Sequence, residues 1–211
     1  MKFPMLNIDG SKTNSIEVSD KLLKTKINYK LIKSVIDWQL NHAKPRTAKT
    51  KQRNQITGST KKIIAQKGSG GARHASKKAP IFVGGGIAHG PKGAVYKIKK
   101  MNKKVRKLAI VHSLSKKNLE KKLYFLADIK NEIKKTKEFN KFLLKNNLSN
   151  VLIISDDESL KNINRSARNI KNLKLIKDKG TNIYDLFRYK NIIITSSSLK
   201  KIQERILNEK D

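Results

Sequence analysis

Basic residues, glycines and histidines concentrate in one part of the 211-residue chain. Residues 38–119 contain no Asp or Glu, yet these 82 residues hold 21 Lys or Arg, all four His and nine of the eleven Gly. The whole chain has 49 basic and 16 acidic residues and a net charge of +33. Because no acidic side chain relieves the repulsion within this stretch, we expect its counter-charge to come from a polyanionic partner.

The candidate polyanion contacts are of three kinds. Cations neutralise phosphates, glycines let bare backbone approach a crowded partner or adopt positive φ, and His or Phe rings contact phosphate or unpaired bases. Phe82 and Tyr96 could equally pack the segment against itself, and the sequence leaves both alternatives open. The candidates, with the polar Gln66 beside them, are Lys44, Arg46, Lys49, Lys51, Arg53, Lys61, Lys62, Gln66, Lys67, Gly68, Gly70, Arg73, His74, Lys77, Lys78, Phe82, Gly84, Gly85, Gly86, His89, Lys92, Lys97, Lys99, Lys100, Lys103, Lys104, Arg106 and Lys107.

The cluster from Lys103 to Lys107 is informative because of its position. If Asn102 is the N-cap of a helix, four cations occupy its first turns, where the helix macrodipole disfavours positive charge. A bound phosphate would reverse that sign, since backbone amides and side chains would then face the same anion. The alternative is a solvated lysine face.

Other chemistries fit poorly. No strand precedes Gly68-x-Gly70, and Pro91 stands where a phosphate loop requires Lys. The chain has no Cys, and its His residues show no i, i+4 pairing and no acidic neighbours. We therefore predict no metal, no cofactor and no catalytic residue.

One acidic cluster, Asp156 to Glu158, follows a predicted strand, where α/β enzymes place catalytic groups. It also directly precedes a predicted helix, whose dipole favours acids at its start. We prefer the second interpretation, because no nucleophile, base and orienting group occur together. The chain is thus predicted not to be an enzyme.

The acid-free stretch is also poor in core-forming residues. Apart from alanines, residues 43–100 contain ten large apolar side chains in 58 positions. Their burial cannot offset backbone ordering at roughly 1–2 kcal/mol per residue. We expect this segment to be largely mobile in the free protein and ordered by its partner. As a hairpin-like excursion it could reach up to about 90 Å.

The flanks have the patterns of regular structure. Apolar stripes predict helices over 29–41, 102–118, 136–146, 159–170 and 184–187, and a last helix after the N-cap candidates at 196–198. Short apolar runs predict strands over 123–127, 151–155, 173–176 and 191–195. This alternation indicates an α/β fold, with a mainly parallel sheet covered by helices on both faces. A globular domain of residues 1–42 and 101–211 would carry the basic segment 43–100 as a long extended loop inserted after the first helix.

Nothing in the sequence predicts a membrane segment. The longest uninterrupted apolar run is five residues, 123–127, and the N-terminal MKFPMLNIDG lacks an apolar signal core. The composition therefore indicates a soluble, cytoplasmic protein.

Three stretches carry a resemblance to a known family. KKIIAQKGSGGARHASKKAPIFVGGGIAHGP at 61–91, KMNKKVRKLAIVHSLS at 100–115 and LKLIKDKGTNIYDLFRYKNIIIT at 173–195 resemble the L-four family of large-ribosomal-subunit proteins, bacterial type. The ordered set of QKG-x-G, Pro before three Gly, Gly-Pro and N-K-K-x-R-x-L-A is specific, and the similarity covers essentially the whole chain.

The resemblance implies a structural, non-enzymatic protein of the large subunit that aids subunit assembly. Its α/β domain would lie on the subunit exterior, while its loop penetrates 23S-type rRNA and lines part of the nascent-peptide exit tunnel. The implied partners are rRNA, neighbouring ribosomal proteins and the nascent peptide, with no membrane and no homo-oligomer. An alternative is an RNA-binding regulator that acts off the ribosome by repressing its own operon messenger. Residues placed at the tunnel tip by this resemblance are Gln66, Lys67, Gly68, Gly70, Gly71 and Arg73.

Overall fold

The computed structural model describes residues 1–8, 12–93, 100–129 and 131–207. The chain divides into two compact units. Met1–Leu40 with Lys100–Asp211 form one, called here the α/β unit, and Asn41–Lys99 form the other, called the insertion.

A six-stranded sheet organises the α/β unit, in the order β2-β1-β3-β6-β4-β5. β1 and β2 form an antiparallel pair, and every other neighbouring pair is parallel. The predicted α/β class with a mainly parallel sheet is therefore confirmed. The strands are β1 (Lys2–Leu6), β2 (Lys12–Glu17), β3 (Leu123–Leu126), β4 (Val151–Ser155), β5 (Leu173–Lys177) and β6 (Asn191–Thr195).

Seven helices accompany the sheet in the described part of the chain, together with a 3₁₀ turn over Asp178–Gly180. The predicted 159–170 helix begins two residues earlier and ends three residues earlier than its apolar stripe suggests. The sequence patterns did not predict the first two strands or the first helix. The strands escaped because β2 is polar and β1 contains Pro4, and the helix has only four residues. The helices are α1 (Asp20–Leu23), α2 (Tyr29–Ala43), α3 (Lys103–Leu119), α4 (Thr136–Lys145), α5 (Asp157–Ala167), α6 (Ile183–Arg188) and α7 (Ser196–Leu207).

Two apolar clusters lie on opposite faces of the sheet. Alternation along β6 sends Ile192 and Ile194 to one cluster and Ile193 to the other. The first cluster also includes residues of α1, α3, α6 and α7, and the second includes residues of α4 and α5. All five residues of β4 and of β6 are buried, as expected for central parallel strands covered on both faces.

A third, smaller cluster joins α2 to α3 and α6. Ile32 and Val35 of α2 are buried with Ala109 and Ile183, and the half-buried Trp38 packs against them. Trp38 therefore has the packing role that its position in the apolar stripe predicts. Among the described residues, no helix combines the length and apolarity needed to cross a membrane.

Candidate nucleic-acid interface

The two arms of the insertion are joined by backbone hydrogen bonds. The amides of Thr50 and Gly93 donate to the carbonyl oxygens of Pro91 and Ala48, both at 2.8 Å. Ile87 N donates to the carbonyl of Lys51 at 3.0 Å. The chain thus returns along its own outgoing path, which is the arrangement that a hairpin-like excursion requires.

Residues 44–92 form turns and one isolated antiparallel bridge, between Lys49 and Lys92, and no helix or strand. Close contacts between backbone segments join the two arms where an apolar core would otherwise do so. A Cβ atom on Gly86 would overlap the backbone of Gln52 and Arg53, so only glycine fits there. The Gly86 amide donates to the carbonyl of Lys78 at 3.0 Å, which ties the same point to a third segment.

The sequence-predicted tip lies at the turn between the two arms. Gly68 and Gly70 adopt φ values of 87° and 66°, which favour glycine. The Lys62 ammonium donates to Gln66 Oε1 at 2.5 Å on the outgoing side of this turn. All six predicted tip residues are exposed, namely Gln66, Lys67, Gly68, Gly70, Gly71 and Arg73.

Most of the predicted contact residues of the insertion are exposed, and no acidic side chain lies among them. Lys78, His74, Phe82 and Gly85 are half-buried, and Gly86 is buried. Lys97 and Lys99 lie outside the described residues, as does Tyr96. The exposed members beyond the tip are Lys44, Arg46, Lys49, Lys51, Arg53, Lys61, Lys62, Lys77, Gly84, His89 and Lys92.

Phe82 packs within the insertion. Its ring centroid lies 5.1 Å from that of His74 in an edge-to-face arrangement. This contact is of the self-packing kind, and contact of Phe82 with an RNA base remains a prediction.

The start of α3 gathers a second group of cations, within the α/β unit. Asn102 occupies the N-cap position but its side chain makes no capping hydrogen bond, and the first turn contains no acid. Lys100, Lys103 and Lys104 are exposed, and Lys107 is half-buried. The partial positive charge of the helix amides therefore lies beside positively charged side chains, and this combination favours a bound anion.

Arg106 is held in place within this group. Its guanidinium lies 5.2 Å from the centroid of the Trp38 ring, a cation–π contact between α3 and α2. Its Nε is buried without a hydrogen-bond partner. A phosphate oxygen is the kind of acceptor that a guanidinium in this position can take.

The acidic cluster from Asp156 to Glu158 lies at the start of a helix, as the interpretation based on the helix dipole predicts. Asp156 is the N-cap of α5, and Asp157 and Glu158 fall in its first turn. The ammonium of Lys177 is hydrogen-bonded to Asp157, which lowers the pKa of Asp157 and raises the pKa of Lys177. No group of three or more potential metal ligands occurs among the described residues.

An open cavity of about 760 Å³ between the arms of the insertion contains residues that the sequence did not single out. Gln52 and Asn54 flank the predicted contact Arg53 in its lining. Both were missed because the candidates were selected as cations, glycines and His or Phe rings. Two carboxamides on either side of an Arg are a signal that could have found them. The remaining lining residues are Pro80, Ile87, Ala88, His89 and Lys92.

The fold and the charge together define a class of protein: an α/β domain that carries a cationic, acid-free insertion suited to a polyanion. A sequence profile of the ribosomal protein L4/L1 family matches residues 16–205. The chain therefore belongs to the ribosomal protein L4/L1 family, which confirms the resemblance drawn from the motifs. This is a family of ribosomal structural proteins, so the prediction that the chain is not an enzyme is also confirmed.

Individual relatives match over nearly their whole length. The protein from Pelagibacter ubique named large ribosomal subunit protein uL4 is 48% identical over 206 residues, which cover 97% of this chain and 99% of the relative. Proteins of the same name from Hyphomonas neptunium and Thermotoga petrophila are each 35% identical. Those matches cover 97% of this chain and 96% and 95% of the two relatives.

Proposed function

We propose that this protein is a structural component of the large ribosomal subunit in the cytoplasm, where it binds 23S-type rRNA and aids subunit assembly. The insertion enters the rRNA, and its turn at residues 66–73 lines part of the nascent-peptide exit tunnel. Its partners are rRNA, neighbouring ribosomal proteins and the passing nascent peptide. Family membership and the names of the relatives support the ribosomal assignment.

One observation carries the RNA-binding part of the proposal. The insertion exposes its cations on two backbone arms held together by hydrogen bonds, and residues 38–119 contain no acid that could neutralise them. The acidic residues of the described chain lie in the α/β unit, where several form ion pairs, as Asp185 does with Lys174 at 2.7 Å. Charge left uncompensated in this way favours a partner that brings many phosphates.

The mechanism combines phosphate neutralisation with backbone approach. Exposed lysines position the chain on the RNA but do not read its sequence. Specificity comes from RNA shape and from unstacked bases. The start of α3 adds a second phosphate contact, where helix amides and Lys103, Lys104 and Arg106 face the same anion.

A salt titration tests RNA binding directly. Each phosphate contact contributes about 0.7–0.9 to the slope of log K against log salt, so binding to a 23S-type rRNA fragment should weaken steeply with salt. The variant with Lys103, Lys104 and Lys107 changed to Gln should have a slope shallower by about 2–3. A matched control changes Lys137, Lys141 and Lys161, which lie on α4 and α5, to Gln. A wild-type affinity that is nearly flat from low to moderate salt would contradict the proposal.

Sedimentation tests the ribosomal part. In sucrose gradients at high salt the protein should migrate with the large subunit. A chain that is absent from large subunits but binds the leader of its own messenger would instead be a regulator acting off the ribosome.

Hydrogen exchange tests ordering by RNA. Because the insertion buries little apolar surface, we expect the amides of Ile87 and Gly93 to exchange quickly in RNA-free buffer and slowly once rRNA is bound. The amide of Ile193 in β6 should be protected in both states and provides the internal reference. Strong protection throughout the insertion without RNA would show that ordering does not depend on the partner.

A further inference from the structure

The open cavity between the arms of the insertion has a lining suited to more than phosphate. We propose that it binds a single rRNA nucleotide whose base is turned out of its helix. The inference rests on the proposed function, because it assumes that rRNA surrounds the insertion. It adds a specific site that recognises a base, at residues distinct from the tunnel-tip turn.

The lining contains groups suited to each part of a nucleotide: its phosphate, the face of its base and the edge of its base. Arg53 and Lys92 supply cations for the phosphate. Pro80 and Ile87 supply apolar surface for a base ring, and Gln52 and Asn54 supply carboxamides that can both donate to and accept from a base edge. The volume of about 760 Å³ lies within the 300–1,000 Å³ range typical of small-molecule sites and far exceeds the need of a bare phosphate.

Backbone contacts join the walls of the cavity. Gly86 lies against the backbone of Gln52 and Arg53, where no Cβ fits. Ile87 N donates to the carbonyl of Lys51 at 3.0 Å, and Gln52 N donates to Gln55 Oε1 at 3.2 Å. In the ordered insertion these contacts bring lining residues of the outgoing and returning arms to one side of the same cavity.

His89 adds a backbone feature at the same place. Its φ of 56° lies in the left-handed region, which few non-glycine residues adopt and in which His is one of the enriched types. The exposed imidazole lines the cavity, where it can contact either the base or the phosphate.

Charge favours RNA over a peptide as the occupant. The cavity is lined by two permanent cations and a histidine, and none of its lining residues is acidic. An acidic peptide could satisfy the cations but would leave no role for the paired carboxamides beside an apolar wall. A nucleotide satisfies both.

Fluorescence anisotropy of the full-length protein with two labelled RNA probes tests the site. One probe is a single-stranded adenosine hexanucleotide, and the other is a hexamer of the same length and charge in which every base is absent. At about 150 mM salt the intact hexamer should bind at least fivefold more tightly than the abasic one. The variant Gln52→Ala/Asn54→Ala should reduce that ratio below twofold and leave abasic binding unchanged. The matched control Thr57→Ala/Thr60→Ala changes two residues of the same arm outside the cavity and should keep the wild-type ratio.

The outcomes separate this site from the general RNA-binding function. Equal affinity of the wild type for both hexamers, with steep salt dependence, would overturn the nucleotide site and leave phosphate binding intact. A base-dependent gain that survives in Gln52→Ala/Asn54→Ala would place base recognition elsewhere and also overturn it. Failure to bind either hexamer or the rRNA fragment would overturn the proposed function and the site together. The proposal is supported if the preference for the intact over the abasic hexamer is lost in Gln52→Ala/Asn54→Ala and kept in Thr57→Ala/Thr60→Ala.

Discussion

The two units of this protein are stabilised by different means. In the α/β unit, β4 and β6 are completely buried, and three apolar clusters join the helices to the sheet and to each other. In the insertion, Ile81 and Val83 are 70% and 107% exposed, and the arms are joined by backbone hydrogen bonds and by glycines in close contact.

This difference separates two physical tasks. Apolar burial gives the α/β unit a stability of its own, at roughly 25 cal/mol for each Å² removed from water. The insertion lacks that contribution and carries a high density of like charge, so we expect its ordering to depend on a partner of opposite charge. On this proposal its backbone contacts set a shape, and the partner supplies the stabilising free energy.

The largest expected effect compares two phenylalanines, one in each unit. Phe139 of α4 is completely buried, so Phe139→Ala should lower the free energy of unfolding by about 3–5 kcal/mol in urea denaturation. Phe82 of the insertion is half-buried against His74, and Phe82→Ala should change the same transition by less than about 0.5 kcal/mol. Equal losses would mean that the two units share one core.

Removing residues 63–87 should separate RNA affinity from folding. The deletion takes away Lys67, Arg73, Lys77 and Lys78, so rRNA affinity should fall about a hundredfold and the salt slope should become shallower by about 3. The cooperative thermal transition should remain, because the three apolar clusters contain none of the insertion's described residues, 41–93. A full-length control with these four cations changed to Gln should show the same change in slope. Loss of the cooperative transition in the deletion would assign the insertion to the core.

A pair of glycines tests whether backbone contact sets the shape of the insertion. Gly86→Ala would push a Cβ into the backbone of Arg53, so we expect rRNA affinity to fall about tenfold. At Gly71 a Cβ would meet only Ser69 O at 4.0 Å, and Gly71→Ala should change affinity less than twofold. Similar affinities for the two variants would indicate that the insertion adapts to RNA without a fixed shape.

The smallest expected effect concerns the start of α7 in the α/β unit. Asp128 accepts hydrogen bonds from Ser197 N at 3.0 Å, Ser197 Oγ at 2.9 Å and Ser196 Oγ at 2.6 Å. Partial burial raises the pKa of Asp128, but these hydrogen bonds outweigh it and hold the pKa below the usual 3.8. Asp128→Ala should therefore lower the free energy of unfolding by about 1 kcal/mol near neutral pH. The expected loss is modest for a helix cap because the carboxylate is still largely exposed to solvent.

The pH dependence follows from the sign of that shift. A carboxyl group with a lowered pKa stabilises the fold above its unfolded pKa of 3.8 and loses this contribution as the pH falls through its folded value. The difference between wild type and Asp128→Ala, measured by urea denaturation, should thus be constant above about pH 5 and shrink below pH 4. Glu132→Ala, which removes an exposed carboxylate paired to Lys134 at 4.0 Å, should stay within about 0.5 kcal/mol of wild type throughout. A constant difference between wild type and Asp128→Ala down to pH 2 would contradict the assignment.

Much of the α/β unit was predictable because its patterns are local. The runs VLIIS and NIIIT match β4 and β6 in full, and the stripe from Tyr29 predicted α2. The hairpin of β1 and β2 was missed, since KTNSIE has no apolar alternation and pairs through its backbone with the preceding strand. The serines before α7 were predicted as its cap, but Ser196 begins the helix and the capping carboxylate comes from Asp128, 69 residues away from Ser197.

For the candidate site, charge was visible in the sequence and geometry was not. The cations and glycines of the insertion stand out by composition alone, because an acid-free stretch of that length is unusual in any arrangement. Gln52 and Asn54 became candidates only when the arms placed them opposite Pro80, Ile87 and His89.

The sequence by itself determined the α/β class and the family, and it predicted a polyanionic partner, since these depend on periodicity, ordered motifs and net charge. The tertiary structure decided the strand order, the origin of the α7 cap and the lining of the cavity. Each of those requires residues distant in the chain to meet, and the free energy of such contacts depends on packing and backbone geometry that no local pattern records.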